Sequence, residues 1–231
     1  MQAVDVMTPN VITVGPDTDV REIARLLLEN HISAVPVVDE KQTVLGIVSE
    51  GDLMRRVENG TDRRKSWWLK SLFHGAGDAG EYVKSHGRKA SEIMTRELIT
   101  ITEDTPLNRV ARLLEKHHIK RVPVLRDGRL VGIVSRANLL RGFSATAPDA
   151  ETPVTADDRE IRDAILEEVD KNTSVWVDRI NVIVADGVVQ LWGLVESQEE
   201  KMAVQVAAEN TPGVKKIENN LGLVPKGVGG Y

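Results

Sequence analysis

The pattern of hydrophobic and polar positions in the first part of the chain occurs twice. Residues 7–38 align without a gap to residues 94–125, and about half of the aligned positions are identical. After one deleted residue, residues 46–49 (Gly-Ile-Val-Ser) align with the same four letters at 132–135. Self-similarity at a fixed offset is the signature of a repeated structural unit. The chain therefore contains two copies of one unit.

Each copy predicts the element order β-α-β-β-α. A β-branched run (residues 11–14 and 98–101) comes first, and Asp-Thr then signals the start of a helix. Two short apolar strands joined by a polar turn follow, and a second helix begins at Ser49 or Ser135. The first helix of each copy has apolar residues at the i, i+3, i+4, i+7 spacing of an amphipathic helix, namely Val20, Ile23, Ala24 and Leu27, and then Leu107, Val110, Ala111 and Leu114.

One copy alone buries little apolar surface, so we expect the two copies to pack face to face around a shared core. Such pairing predicts a module with pseudo-twofold symmetry. A cleft at the boundary between the copies is then a natural position for a ligand. The predicted fold class is α/β (α+β).

The repeated motifs resemble those of the cystathionine-β-synthase (CBS) domain. They are Met-Thr, Asp-Thr before a helix, Val-Pro-Val and Gly-Ile-Val-Ser, and they recur in register in both copies. The resemblance implies two CBS repeats, residues 1–56 and 90–143, that together form a Bateman module. It also implies a homodimer formed through this module. The implied regulatory ligand is an adenine nucleotide (AMP, ADP or ATP), with NAD and S-adenosylmethionine as alternatives.

In the CBS family a Ser or Thr, followed three residues later by Asp, contacts ligand phosphate and ribose. Copy one has Ser49 and Asp52, whereas copy two has Ser135 and Asn138, whose amide offers one uncharged acceptor oxygen. The same spacing also fits a helix N-terminal capping box. The resemblance implies this set of ligand-binding residues: Ile12, Val35, Pro36, Ser49, Asp52, Ile99, Arg121, Val122, Pro123, Ser135, Arg136 and Asn138.

The two copies differ in charge at the implied ligand positions. Arg121 and Arg136 of copy two align with Ala34 and Glu50 of copy one. Arginine suits the geometry of phosphate, although a solvated surface arginine is the alternative. The strand residues around the two Val-Pro steps have core packing as their alternative role. We expect unequal sites, with copy one suited to ribose and copy two to phosphate.

Residues 57–89 form an insert between the copies. Basic and aromatic residues, including Trp67 and Trp68, are combined in the segment 63–73. This combination is typical of an interfacial helix on an anionic membrane or of a partner-docking patch. Packing of both tryptophans onto the module or across a dimer is the alternative that we favour.

A new pattern begins after a linker at residues 144–154. Residues 155–225 predict the order α-β-β-α-β, with a tight Asp186-Gly187 turn between strands 180–185 and 188–195 and a capping box at Ser197. The sequences Asp-Gly-Val-Val at 186–189, Gly-Leu-Val at 193–195 and Pro-Gly-Val at 212–214 resemble the BON domain, a bacterial module. That resemblance implies a phospholipid or another hydrophobic ligand. Trp192 lies on the same strand face as Gln190, where core packing is favoured over a ligand surface. Residues 226–231 are predicted to be a flexible tail.

Composition and charge argue against several classes of function. The net charge of −5 argues against a nucleic-acid partner, which requires a basic surface. No cysteine is present, which excludes disulfides and thiolate catalysis, and no His, Asp or Glu spacing indicates a metal site or a catalytic pair. Without a signal peptide or a long apolar run at the sequence level, we expect a cytoplasmic protein, with peripheral membrane association as an alternative.

These observations predict that the protein is not an enzyme. The expected function is an adenine-nucleotide-binding regulator whose CBS pair is coupled to the BON domain. The alternative is a structural adaptor that binds a membrane or a protein partner through the BON domain or the insert with Trp67 and Trp68, while the CBS pair serves dimerisation.

Overall fold

The structure is a computed structural model that describes residues 1–54, 77–145 and 154–224. The segment with Trp67 and Trp68 and the predicted tail lie outside the described residues, so the interpretations of both stay predictions. The chain forms two compact units. The repeat-1 unit consists of Ile12–Leu98 and Gly128–Leu130, and the repeat-2 unit consists of Met1–Val11, Ile99–Asp127 and the chain from Val131 onward. Each unit is described separately.

The described elements include the predicted helix, strand, strand and helix of each repeat and the predicted order of the C-terminal domain, whereas short helices at Ala3–Val6 and Ala90–Ile93 were not predicted. The helices are α1 (Ala3–Val6), α2 (Val20–Glu29), α3 (Glu50–Met54), α4 (Gly77–His86), α5 (Ala90–Ile93), α6 (Leu107–Lys116), α7 (Arg136–Ala145), α8 (Ala156–Asn172) and α9 (Gln198–Glu209). The strands are β1 (Ala34–Val38), β2 (Val44–Ser49), β3 (Ile101–Thr102), β4 (Arg121–Arg126), β5 (Arg129–Ser135), β6 (Ile180–Ala185), β7 (Val188–Val195) and β8 (Lys216–Leu223).

The amphipathic helices pack as their spacing predicts. In the repeat-1 unit, Val20, Ile23 and Leu27 of α2 are buried in one cluster with the inward residues of β1 and β2. In the repeat-2 unit, Leu107 and Leu114 of α6 are buried in the equivalent cluster. The apolar face of each helix therefore faces the core of its unit.

The first predicted strand of each repeat is shorter than the β-branched run indicates. In copy one, only Val14 pairs with β1, through hydrogen bonds from Val14 N to Pro36 O and from Val38 N to Val14 O (3.1 and 2.9 Å). In copy two the strand is β3, two residues long and parallel to β4.

The Met-Thr segments near the starts of the two repeats each pair with a strand of the opposite repeat. Thr8 and Ile133 exchange two backbone hydrogen bonds of 3.0 Å in the repeat-2 unit. Thr95 and Ile47 exchange the equivalent bonds of 2.9 and 3.0 Å in the repeat-1 unit. The compact units therefore do not follow the linear boundaries of the repeats.

Two histidines, His31 and His118, occupy the same position of the repeat, just after the first long helix of each copy. His31 and His118 both have a left-handed backbone, with φ of 52° and 53°. Each follows the last turn of its helix, and the next residue closes the helix end through a backbone hydrogen bond of 3.0 Å, from Ile32 N to Leu27 O and from Ile119 N to Leu114 O. A left-handed residue with this bond is a common helix C-terminal motif.

The C-terminal domain has the predicted α-β-β-α-β order. Its sheet has the strand order β6-β7-β8, with β6 antiparallel and β8 parallel to β7. The tight hairpin turn between β6 and β7 needs a left-handed backbone at both central positions. Asp186 and Gly187 provide it, with φ of 50° and 71°. The last strand begins at Lys216, and Lys215 N just before it donates to Gly187 O of the hairpin at 2.8 Å.

The sheet of the C-terminal domain packs on both faces. One face joins α8 and α9 in a core that includes Ile165, Leu191 and Val204. On the other face, Ile183 is fully buried in the hydrophobic cluster of the second repeat, and Trp192 packs against the same cluster. The favoured interpretation of Trp192 as a packing residue is confirmed, although the core it joins is that of the second repeat.

Among the described helices, none combines the length and the apolar character that a membrane crossing requires.

Candidate functional site

Two turns carry the Ser and Asp or Asn residues that the sequence predicts as ribose and phosphate contacts. We call residues Ser49–Asp52 the first turn and residues Ser135–Asn138 the second turn; each connects the last strand of its repeat to the last helix. In the first turn, Asp52 Oδ2 accepts hydrogen bonds from Ser49 N and Ser49 Oγ at 2.9 and 2.7 Å. In the second turn, Asn138 Oδ1 accepts from Ser135 N and Ser135 Oγ at 2.9 and 2.6 Å. The second turn is a complete capping box, because Asn138 N also donates to Ser135 Oγ at 3.3 Å, whereas among the described residues the first turn shows only the hydrogen bonds that Asp52 accepts from Ser49. Ligand contact by either pair stays a prediction.

The first turn leaves part of its carboxylate available. Asp52 and Ser49 are both half-buried, and both hydrogen bonds inside the turn reach the same oxygen of Asp52. Among the described residues, no hydrogen bond to the other oxygen, Oδ1, is present. A partly exposed carboxylate oxygen of this kind can accept hydrogen bonds from the vicinal hydroxyls of a ribose.

In the second turn, both the oxygen and the nitrogen of the Asn138 side-chain amide have hydrogen-bond partners in the protein. Asn138 is only 2% exposed, and its Nδ2 donates to Val6 O at 2.9 Å and to Thr8 Oγ1 at 3.4 Å. Because Oδ1 accepts the two bonds from Ser135, both ends of the side chain have protein partners. An aspartate could accept the Ser135 bonds but has no N–H to give to Val6. Asn138 therefore anchors residues 6–8, near the start of the first repeat, through its side chain.

Basic residues collect around the second turn. Arg136 is exposed at the first position of α7, and its backbone N donates to Lys120 O at 3.1 Å, so Lys120 and the half-buried Arg121 lie beside the turn. The equivalent bond in copy one runs from Glu50 N to Ser33 O at 3.0 Å. Lys120 is a cation that the sequence analysis missed. Its signal was the alignment of Lys120 with the neutral Ser33.

The strand residues in the predicted set are mainly core residues. Val35 and Val122 are fully buried, and Pro36 and Pro123 beside them are also buried. Ile12 and Ile99 are half-buried and pack at the edges of the two clusters. The alternative role of these residues, core packing, is confirmed, so a ligand would reach these segments mainly through their backbone.

The structure divides the predicted set between the units. The repeat-1 unit contains Ile12, Val35, Pro36, Ser49 and Asp52, and the repeat-2 unit contains Ile99, Arg121, Val122, Pro123, Ser135, Arg136 and Asn138. Within the repeat-1 unit the pairing of Ala34 with Ser49 places the Val-Pro step beside the first turn.

A separate apolar groove of about 950 Å³ runs along the repeat-1 unit. Its lining comes mainly from α2 and α3 and includes Leu27, Leu28, Leu53 and Met54, with Glu50 at one side. Leu28 is 75% exposed and Met54 is 59% exposed. Exposed apolar side chains grouped in this way are typical of an interaction surface.

Family models identify the three domains. The model of the CBS domain matches residues 3–59 and 90–145, and the model of the BON domain matches residues 157–225.

The chain is similar to two plant proteins of the CBS class. It is 31% identical over 147 residues to the CBS domain-containing protein CBSX2, chloroplastic, of Arabidopsis thaliana. The alignment covers 59% of this chain and 61% of that protein. It is 32% identical over 139 residues to CBSX1, chloroplastic, of the same plant, which covers 55% of this chain and 57% of that protein. The chain thus spans about three fifths of the length of these relatives.

The crystal structure of CBSX2 in complex with AMP is also similar to this chain. The match has a TM-score of 0.54 at 30% sequence identity, and it covers 62% of this chain and 96% of that one.

Proposed function

The chain carries a tandem pair of CBS domains followed by a BON domain, and on this basis we propose that it is a regulatory protein that binds an adenine nucleotide. The observation that carries the proposal is the first turn, where Asp52 keeps one carboxylate oxygen without a partner among the described residues. The similarity to a CBS pair crystallised with AMP supports AMP as the first ligand to test.

In this proposal Asp52 accepts hydrogen bonds from the ribose hydroxyls. The carboxylate is already oriented by Ser49, so little side-chain freedom is lost on binding. Ser49 Oγ donates to Asp52 and can still accept a hydrogen bond from the ligand. The first turn therefore recognises the nucleoside part of the ligand.

The second turn, taken by itself, carries positive charge that favours a phosphate group. Arg136, Lys120 and Arg121 lie at or beside this turn, whereas Glu50, Ser33 and Ala34 occupy the aligned positions of copy one. Charge-assisted hydrogen bonds to phosphate are about twice as strong as neutral ones. Because Asn138 is fully used by the protein, we propose that ribose binds at the first turn with higher affinity than at the second.

The ligand regulates and is not a substrate. Binding can shift an equilibrium between two states of the protein only by the difference in its affinity for them. We propose that the BON domain, which packs on the second repeat, is the part whose behaviour the ligand changes.

We also propose that the protein is a homodimer formed through the apolar groove of α2 and α3, with a second copy as its occupant. Leu28 of α2 and Met54 of α3 line this groove and are 75% and 59% exposed. A surface of this kind can pair with itself in an isologous dimer.

The experiment for the nucleotide proposal has two steps. Small molecules released by denaturing the purified protein are identified by mass spectrometry, which detects a ligand that copurifies. Protein freed of bound nucleotide is then titrated by calorimetry with AMP, ADP, ATP, NAD and S-adenosylmethionine. Saturable binding of at least one of them supports the proposal, and absence of binding by all five overturns it.

A further inference from the structure

The carbonyl oxygen of Val6 accepts hydrogen bonds from two different domains. Asn138 Nδ2 of the second CBS repeat donates at 2.9 Å, and Asn181 Nδ2 of the BON domain donates at 3.1 Å. Asn181 Nδ2 also lies 3.3 Å from Met7 O. Both asparagines are 2% exposed, so these hydrogen bonds are shielded from water.

The BON domain also holds the segment around Val6 through charged side chains. Arg159 Nε donates to Asp5 Oδ1 at 2.7 Å, and its Nη2 donates to Gln2 Oε1 at 2.9 Å. The buried Arg162 donates to Val4 O through Nη1. The carboxylate of Asp5 is 1% exposed, so its partner Arg159 is needed to offset the cost of burial.

Apolar contacts support the same junction. Ile183 and Trp192 of the BON sheet pack in the cluster that contains Ala3 and Val6 of α1. The guanidinium of Arg141 in α7 lies 5.9 Å from the centre of the Trp192 ring. The pKa of Arg141 is lowered by burial, which indicates that this cation lies in a poorly solvated place.

Copy one lacks this arrangement. Asp52, aligned with Asn138, has no N–H to donate, and Glu92, aligned with Asp5, bonds only to backbone N atoms of Arg88 and Lys89 among the described residues. The junction is therefore specific to the second repeat.

We infer that residues 3–8 couple the second turn to the BON domain, with Asn138 as the positioning residue on one side and Asn181 on the other. If the side chain of Asn138 or of Asn181 moves away, Val6 O loses one of its two side-chain hydrogen-bond donors. The amide of Asn138 reaches a ligand only by leaving Val6, since the side chain is buried and both of its ends are occupied. A hydrogen bond from the Asn138 amide to a ligand therefore weakens docking of the BON domain. By linkage, undocking of the BON domain strengthens the binding of that ligand. This sign rests on the proposed nucleotide binding.

The test is hydrogen–deuterium exchange on the full-length protein without ligand, comparing wild type with Asn181→Asp. The substitution preserves shape but places a carboxylate oxygen against the carbonyls of Val6 and Met7. We expect exchange to accelerate about tenfold at residues 3–8 and also at the amides of Ser135 and Asn138, whose protection depends on the second turn. Asn210→Asp, at the exposed C-terminal end of α9 on the opposite face of the BON sheet, is the control and should leave both regions unchanged.

The pattern of exchange distinguishes coupling from a general loss of stability of the BON domain. If residues 3–8 accelerate while Ser135 and Asn138 do not, the coupling is overturned. If the whole BON domain, including β7, accelerates as well, Arg159→Met replaces Asn181→Asp, because Arg159 lies at the edge of the junction and its loss spares the sheet. With that variant, unchanged protection at Ser135 and Asn138 overturns the coupling.

A second arm separates the coupling from the nucleotide proposal. Saturating AMP is added to wild-type protein, and exchange at residues 3–8 should increase about threefold or more if Asn138 is recruited. Bound AMP that accelerates exchange at Ser135 and Asn138 but leaves residues 3–8 equally or better protected overturns the proposed sign, and bound AMP that changes neither region overturns the recruitment of Asn138. Failure of AMP and the other adenosine ligands to bind overturns the proposed function instead, whereas the ligand-free comparison still decides whether the coupling exists.

Discussion

Asn138 and Asn181, which lie in different domains, donate side-chain N–H groups to one acceptor, the carbonyl oxygen of Val6. This relationship gives a physical reason for the asparagine in the second repeat. A carboxylate at position 138 would put its oxygen against that of Val6 without a hydrogen between them. The departure from the family's Asp therefore reflects a role in holding the protein together.

Asn138→Asp is expected to destabilise the folded protein by about 1–3 kcal/mol, because a buried carbonyl loses a donor and meets a negative charge. Urea denaturation at neutral pH measures the change. The reciprocal change Asp52→Asn is the control, since the amide oxygen can still accept both bonds from Ser49, and it should cost less than about 1 kcal/mol. Equal losses for the two variants would contradict the structural role of Asn138.

Gly46→Ala is expected to destabilise the protein because the Met-Thr segment packs against this glycine. An added Cβ would lie 2.5 Å from Met94 Sδ and 2.8 Å from Met94 Cγ. Overpacking of this kind costs about 1–3 kcal/mol, and thermal unfolding measures it. Gly15→Ala is the matched control, since its nearest atom would be Thr18 Oγ1 at 3.9 Å. A neutral Gly46→Ala would argue against the pairing of the Met-Thr segment with the opposite repeat.

Asp158 is expected to make stability depend on pH in the acid range. Burial by itself would raise the pKa of this carboxyl, but hydrogen bonds from Thr155 and from Gly187 N outweigh burial and hold the pKa below its ordinary value of 3.8. A depressed folded-state pKa stabilises the protein above 3.8, and this contribution is lost as pH falls through the folded-state pKa.

The variant Asp158→Asn isolates that contribution. Wild type should be more stable than the variant at neutral pH, and the difference should shrink as the pH is lowered below 3.8. Denaturation series at several pH values measure the difference. A constant difference across the acid range would show that Asp158 does not contribute in this way.

Leu28→Glu is expected to weaken the proposed dimer, because a charge would be placed on the exposed apolar surface of α2. The fold should tolerate the change, since Glu115 occupies the aligned position in α6. Sedimentation velocity at several concentrations measures the mass. Gln198→Glu, an exposed change of the same charge in the BON domain, is the control. A mass that is identical for wild type and Leu28→Glu would place the interface elsewhere or exclude a dimer.

Local sequence patterns predicted most of the elements but not their pairing across the chain. The i, i+3, i+4, i+7 spacing fixed α2 and α6, and the Asp186-Gly187 turn fixed the hairpin of the BON domain. The pairing of Thr8 with Ile133 could not be predicted, because a two-residue motif carries no information about a distant partner.

The candidate site was only partly predictable for a related reason. The Ser-x-x-Asp spacing located both turns, yet it could not show that the Asn138 amide is occupied by Val6 and Thr8. Those partners come from a segment more than a hundred residues away. Lys120 was missed because a basic residue in a polar turn has no local pattern that separates it from a solvated one.

Asp52 is proposed to bind the ribose of an adenine nucleotide. Calorimetric titration of nucleotide-free wild type and Asp52→Ala with AMP tests it most directly, with circular dichroism to verify that the variant is folded. We expect saturable binding to wild type and a roughly ten- to hundredfold weaker affinity for Asp52→Ala, as for loss of charge-assisted hydrogen bonds. Equal affinities of the two proteins, or no AMP binding to wild type, would contradict the claim.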